Sequence, residues 1–285
     1  MVSTASTSTT WAATSSNGSR CSVSKSSPNS TRPSGAELAR LIEAELQRDR
    51  NPSRGLAEKA YLKSDLSFLG VPLPAMRQLV NTIPRRPPAL DRDALLQLVR
   101  TLWGRSVFEL RMVAVLLLEA FEPLLRPADI SLLERLIRES KTWAFVDELA
   151  IAVTGPLAER SAGLVDVLDR WSVDDDFWIR RAALLALLPQ LRRGAGDFER
   201  FGRYADRMLD EREFFIRKAI GWVLRETGKK QPERVYAWLL PRCDRASGVT
   251  VREAVKYLSP RQRNALLSAY GAAARPRQAS GRALR

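Results

Sequence analysis

The sequence of 285 residues contains no histidine, two cysteines and no long apolar run. Without an imidazole there is no Ser-His-Asp or Cys-His nucleophile, no histidine general acid or base, and no histidine-ligated metal. Cys21 and Cys243 lie too far apart for a CxxC redox pair or a zinc knuckle. A disulfide framework is excluded with them, which fits a reducing compartment. The longest apolar run, residues 112–118, falls far short of the roughly 20 residues that span a bilayer. The N-terminus has no apolar signal-peptide core. The expectation is a cytoplasmic protein with no membrane segment, whose chemistry rests on carboxylates, Lys/Arg, Tyr or Trp.

Acidic residues are missing from both ends. Residues 1–35 hold 18 Ser/Thr, three basic residues and no acid, and residues 271–285 hold four arginines and no acid. These two segments account for half of the formal net charge of +14, leaving +7 on residues 36–270. The organisation expected is a disordered Ser/Thr-rich leader (1–35), a folded basic segment (36–270) and a disordered Arg-rich tail (271–285). A basic domain suits a polyanion such as nucleic acid, or equally a plain solvated surface.

What the middle segment does have is 3.6-residue apolar periodicity, as in Leu38, Leu41, Ile42 and Leu46 or Leu132, Leu133, Leu136 and Ile137. Pro, Gly and Asp punctuate it, and strand-like alternation is scarce. The fold class is therefore all-α. A template of apolar, any, apolar, Arg, variable, small, apolar recurs in Phe177-Trp-Ile-Arg-Arg-Ala-Ala, Phe214-Phe-Ile-Arg-Lys-Ala-Ile and Val249-Thr-Val-Arg-Glu-Ala-Val. Phe108-Glu-Leu-Arg-Met-Val-Ala fits with one substitution and Trp143-Ala-Phe-Val-Asp-Glu-Leu more loosely. The fourth position falls at Arg111, Val146, Arg180, Arg217 and Arg252, in steps of 35, 34, 37 and 35 residues. That period, with two helices per unit, predicts an α-solenoid of HEAT-like repeats with a concave face lined by the second helix of each pair.

The register sorts the polar residues. A fourth-position arginine common to most units reads first as inter-repeat packing. The fifth position varies instead, through Met112, Asp147, Arg181, Lys218 and Glu253, and variable charge at one repeated address suits a binding surface. Asp147 should then lie near Arg181 and Lys218. Trp143 sits four residues before Asp147, Trp222 four after Lys218, and Arg225 three after Trp222, so each shares its neighbour's helix face. Taken singly, a tryptophan at such spacing reads as core. Together, cations for phosphates, tryptophan faces for a cationic base and a carboxylate for an oxocarbenium ion fit DNA carrying N-alkylated purines. Such a base brings its own positive charge and leaves neutral, so one carboxylate suffices and histidine is not needed.

Four stretches resemble the DNA alkylation repair proteins, the AlkD-like DNA glycosylases of HEAT-like repeats. They are Tyr61-Leu-Lys-Ser-Asp-Leu-Ser-Phe-Leu-Gly-Val-Pro, Thr142-Trp-Ala-Phe-Val-Asp-Glu-Leu, Phe177-Trp-Ile-Arg-Arg-Ala-Ala-Leu-Leu and Glu213-Phe-Phe-Ile-Arg-Lys-Ala-Ile-Gly-Trp-Val-Leu-Arg-Glu. The resemblance spans about residues 36–270. It implies excision of positively charged N3- and N7-alkylated purines from duplex DNA without metal or cofactor, with the DNA cradled in the concave face and the lesion approached through backbone and deoxyribose contacts; a solenoid of this type is expected to be a monomer. By this resemblance Asp147 is the catalytic carboxylate, Trp143 and Trp222 are the cleft tryptophans, and Arg181 is the phosphate- or lesion-side arginine, with Arg180 adjacent. Tyr61 matches an aromatic of the family's N-terminal helices, and Lys218 and Arg225 extend the DNA-binding strip. The chain has Thr142-Trp143-Ala144 where the family usually has a Trp-Trp-Asp run. Two other readings stand beside it: a DNA-binding solenoid without activity, and a protein–protein scaffold.

Overall fold

A computed structural model describes residues 35–83 and 90–282, with side chains through residue 273. The expected leader, residues 1–35, lies almost wholly outside the described residues. Three helices open the chain, α1 (Gly35–Arg48), α2 (Pro52–Leu62) and α3 (Leu73–Asn81). Helix pairs follow. They are α4 (Arg92–Trp103) with α5 (Phe108–Ala120), and α6 (Ile130–Ser140) with α7 (Trp143–Glu148), which continues through a π-helical turn (Leu149–Thr154) into α8 (Gly155–Glu159). Next come α9 (Val165–Trp171) with α10 (Phe177–Ala186) and the short α11 (Leu188–Arg192), then α12 (Phe198–Met208) with α13 (Phe214–Gly228). The chain ends on α14 (Pro232–Leu239), α15 (Gly248–Ala254) and α16 (Pro260–Arg282). The last helix runs past residue 270, where the sequence places the domain boundary. Among the described residues the only extended pairing is an isolated bridge, Ser67 to Val107. The fold is an all-α solenoid.

The repeat template corresponds to the second helix of each pair. Its start is marked chemically: Thr142, Asp176, Glu213 and Ser247 each precede such a helix and accept a hydrogen bond from its first turn, at 3.4, 2.8, 3.2 and 3.1 Å. The third and seventh template positions are the ones that disappear into the core, as at Leu110, Ile179, Ile216 and Val251, whereas the first position ranges from buried at Phe108 to exposed at Phe214. Second helices pack on second helices of neighbouring units, so α5, α7 and α10 are walled in and their buried faces are wide.

The recurring fourth-position arginine is a structural pin. Arg111, Arg180 and Arg217 each donate to the carbonyl six residues earlier, that of Arg105 at 3.0 Å, Asp174 at 2.5 Å and Glu211 at 2.6 Å. Each thus ties the loop entering its helix to the helix itself.

The first helices carry a second repeat, an acid followed by an exposed arginine, at Glu134-Arg135, Asp169-Arg170 and Asp206-Arg207. The acid reaches into the next unit. Glu134 accepts from the Trp171 indole at 3.0 Å, Asp169 from the Tyr204 hydroxyl at 2.5 Å, and Asp206 from Arg245 at 2.7 Å.

Candidate active site

Trp143 opens α7, capped by Thr142, and Asp147 stands one turn later on the same face. The π-helical turn follows directly and continues into α8 at Gly155, where an added Cβ would lie 2.7 Å from the Ala186 carbonyl. The wider turn therefore lets the chain pass close under α10 just beyond the carboxylate. Such single π turns interrupt helices most often where a functional side chain has to be aimed.

Asp147 is held by Arg181. Nε of the guanidinium lies 2.7 Å from Oδ1 and a terminal nitrogen 2.8 Å from Oδ2, a bidentate pair. The other terminal nitrogen donates to the Phe215 carbonyl in the first turn of α13. The Arg181 side chain is 4 % exposed and that of Asp147 15 %. Burial pushes the Asp147 carboxyl above the usual carboxylate range, and the Arg181 guanidinium opposes that rise. Each carboxylate oxygen keeps a lone pair for a partner in the cleft.

That cleft has a volume of about 550 Å3 and is lined by Tyr61, Trp143, Asp147 and Trp222 among others. Tyr61 is highly exposed and meets Trp143 edge to face, with centroids 6.4 Å apart and planes at 88°. Apolar lining comes from Val71, Leu73, Met76, Phe108, Met112 and Ile151. Met112 is the fifth-position residue of its unit, so that address supplies both the carboxylate and part of the apolar wall.

The cations expected with these residues fare differently. Lys218 is exposed, one turn before Trp222. Arg180 spends every guanidinium nitrogen within the protein: two on Glu211, at 3.0 and 2.8 Å, and the third on the carbonyls of Asp174 and Asp175. Arg225 pairs with Glu253 and, at 3.2 Å, with Glu226. Neither lines the cleft. Adjacent arginines 180 and 181 are separated only by the 100° rotation between successive helix positions, which sends one to the surface network and the other to Asp147.

Residues 42–258 match the family model described as DNA alkylation repair enzyme. The chain belongs to that family. Among solved structures it is similar to a predicted DNA alkylation repair enzyme from Enterococcus faecalis (TM-score 0.65, 23 % identity, 74 % of this chain and 98 % of that one). It is also similar to AlkD2 from Streptococcus mutans (TM-score 0.57, 16 % identity, 79 % and 100 %). A third is smu.31 from Streptococcus mutans (TM-score 0.54, 17 % identity, 78 % and 100 %). These identities speak for the fold. No curated protein sequence gives a significant match.

For a DNA alkylation repair enzyme, the cleft holds more acid than the sequence indicates. Glu58, Glu119 and Glu148 line it along with Asp147, against a single lining arginine, Arg54. Glu148 sits in the same short motif as Asp147, yet its partner Arg77 lies 71 residues earlier, outside the five-unit register. Basic residues such as Lys218 stand beside the cleft rather than in its lining. No helix among the described residues is long and apolar enough to cross a membrane.

Proposed function

We propose that this enzyme is a DNA N-glycosylase that removes positively charged N3- and N7-alkylated purines from duplex DNA. The observation that carries the reading is Asp147, a carboxylate fixed by a buried arginine on the wall of a cleft shared with Trp143, Trp222 and Tyr61. The cationic purine lies against the indole faces, which attract positive charge. The C1′–N9 bond breaks and its electron pair leaves with the base, cancelling the base's charge, so no general acid is required. The deoxyribose is left as an oxocarbenium ion facing Asp147, whose charge stabilises it. Water adds to C1′, its proton passes to solvent, and an abasic site remains. Arg181 keeps Asp147 oriented, so that little reorganisation is needed as charge develops. Lys218 supplies phosphate affinity at the rim. The protein acts as a monomer on double-stranded DNA in the cytoplasm.

The test is release of 7-methylguanine and 3-methyladenine from methylated duplex DNA. Asp147→Asn is expected to slow release about a hundredfold or more, the usual cost of deleting one group that stabilises transition-state charge, while changing DNA affinity by less than about threefold. Wild-type protein that binds methylated duplex without releasing base would overturn the glycosylase reading and leave a DNA-binding solenoid.

A further inference from the structure

The first helices carry arginines in step with the repeat. Arg100 on α4, Arg135 on α6, Arg170 on α9 and Arg207 on α12 follow one another at 35, 35 and 37 residues. All are exposed. Unlike Arg111, Arg180, Arg181 and Arg217, they are not spent inside the protein. Among the described residues Arg100 and Arg207 meet no carboxylate, Arg170 reaches only the Asp166 carbonyl at 3.5 Å, and Arg135 stands 4.0 Å from Glu139. On α12 the row doubles: Arg203, one turn before Arg207, is exposed and unpaired as well, and both border a hollow of about 300 Å3.

The acids of the same helices are committed elsewhere. Glu134, Asp169 and Asp206 reach into the next repeat, and Glu139 takes the Trp103 indole at 2.7 Å. Asp93 and Glu199 pair with Arg92 and Arg234. Among the described residues Asp166 is left to face five arginines. None of these side chains lines the cleft, whose wall comes from α2, α3, α5, α7 with its π-helical turn, and α13. The row therefore runs along the layer behind the cleft. That layer is polar: none of the large exposed hydrophobic side chains belongs to α4, α6, α9 or α12. A protein partner is held through an apolar interface core, which is missing, whereas a phosphodiester backbone is held by cations. Packed helices lie about 8–10 Å apart. At about 3.4 Å of duplex axis per phosphate of one strand, consecutive arginines meet every second or third phosphate. The planar fork of arginine matches that group.

We propose that Arg100, Arg135, Arg170, Arg203 and Arg207 form a second DNA track, which holds the phosphate backbone of another duplex segment while the cleft holds the first. Its contacts are to phosphate alone, so it has no preference for sequence or lesion, and its affinity falls steeply with salt. With two tracks on one chain, the enzyme passes from one stretch of DNA to another without letting go of both. The track stands apart from the glycosylase reading and does not depend on it.

The test is titration of the full chain with an excess of a short unmethylated duplex, read as the mass of the complex in solution and repeated over a salt series. Wild type takes up a second duplex per chain at low salt. A variant combining Arg100→Gln, Arg135→Gln, Arg170→Gln and Arg207→Gln takes up only the first. Singly, Arg170→Gln and Arg207→Gln each reduce the salt slope of the second step by about 0.9, the value of one phosphate contact. Their melting temperatures stay in place, because the side chains are exposed. A wild-type complex that never exceeds one duplex per chain overturns the track. So does a second step with the same salt slope in wild type and in the folded combined variant. Release of 7-methylguanine from methylated duplex, followed in parallel, is expected at the wild-type rate in the combined variant. No release by wild type, with the second step present and lost in that variant, sinks the glycosylase reading and leaves the track standing.

Discussion

Arg181 donates to acceptors from two other repeats, the Asp147 carboxylate of one and the Phe215 carbonyl of the next. Removing it strands a part-buried carboxylate, so Arg181→Ala is expected to destabilise the protein by about 3–5 kcal/mol, read from urea unfolding. The neighbouring addresses separate stability from binding. Arg217 pins its own helix entry, so Arg217→Ala lowers the melting temperature and leaves DNA affinity nearly unchanged. Lys218 is exposed, so Lys218→Ala leaves the melting temperature in place and reduces the slope of log affinity against log salt by about one. The opposite assignment of these two effects would show that the repeat register has been misread. Asp147 and Arg181 could be brought together from the sequence because equivalent positions of adjacent units are side by side. Arg180 and Arg225 could not be set aside in the same way. Whether an arginine is free depends on acids such as Glu211 and Glu253, which belong to other elements and whose approach is decided by helix rotation. The Arg77–Glu148 pair was beyond reach for a related reason, since α3 lies outside the repeating template.

At the scale of elements, α2 is held differently from the rest. It buries only Gly55, and its attachment is largely backbone: Asn51 N–H donates to the Leu69 carbonyl at 2.8 Å. A Cβ on Gly55 would stand 2.9 Å from the Phe68 carbonyl, and one on Gly70, at φ +82°, 2.0 Å from that of Asn51. The loop between α2 and α3 is fixed in turn by the buried Glu109 carboxylate, which accepts from the amides of Leu69 and Gly70 at 2.9 and 2.6 Å. Since α2 carries Tyr61 against Trp143, Gly55→Ala should loosen this helix first. Faster amide exchange in residues 52–62, weaker DNA binding and little change in the α10–α13 region are the expected results, measured by hydrogen exchange and titration. That the chain is helical throughout was legible from apolar periodicity and from Pro, Gly and Asp punctuation. The π-helical turn was not, because Leu149-Ala-Ile-Ala-Val-Thr is as apolar as an ordinary buried α-helical turn and only the close passage of Gly155 under α10 distinguishes it.

For the whole molecule, ion pairs and indole bonds recur about one repeat apart, as in Arg138–Asp174, Arg193–Glu159 and Arg242–Asp206. Arg138 holds the Asp174 carboxyl below its ordinary value, Arg242 does so for Asp206, and the Tyr204 hydroxyl does so for Asp169. A carboxyl lowered on folding stabilises the native state above its unfolded value, near 4, and loses that contribution as pH falls through the folded value. Melting temperature is therefore expected to drop below about pH 4, and Asp206→Asn to flatten the drop. Asp147 and Glu148 titrate in the opposite sense, because burial raises both; ionising them costs stability as pH rises through their folded values.

The clamp on Arg181 couples the cleft to the mechanics of the superhelix. Its guanidinium is tethered at one end to α7 and at the other to α13, so three successive turns of a spring meet at one side chain. On the proposed glycosylase reading, docking that spreads α7 from α13 is expected to change the aim of Asp147, an outcome read as altered base release at unaltered DNA affinity.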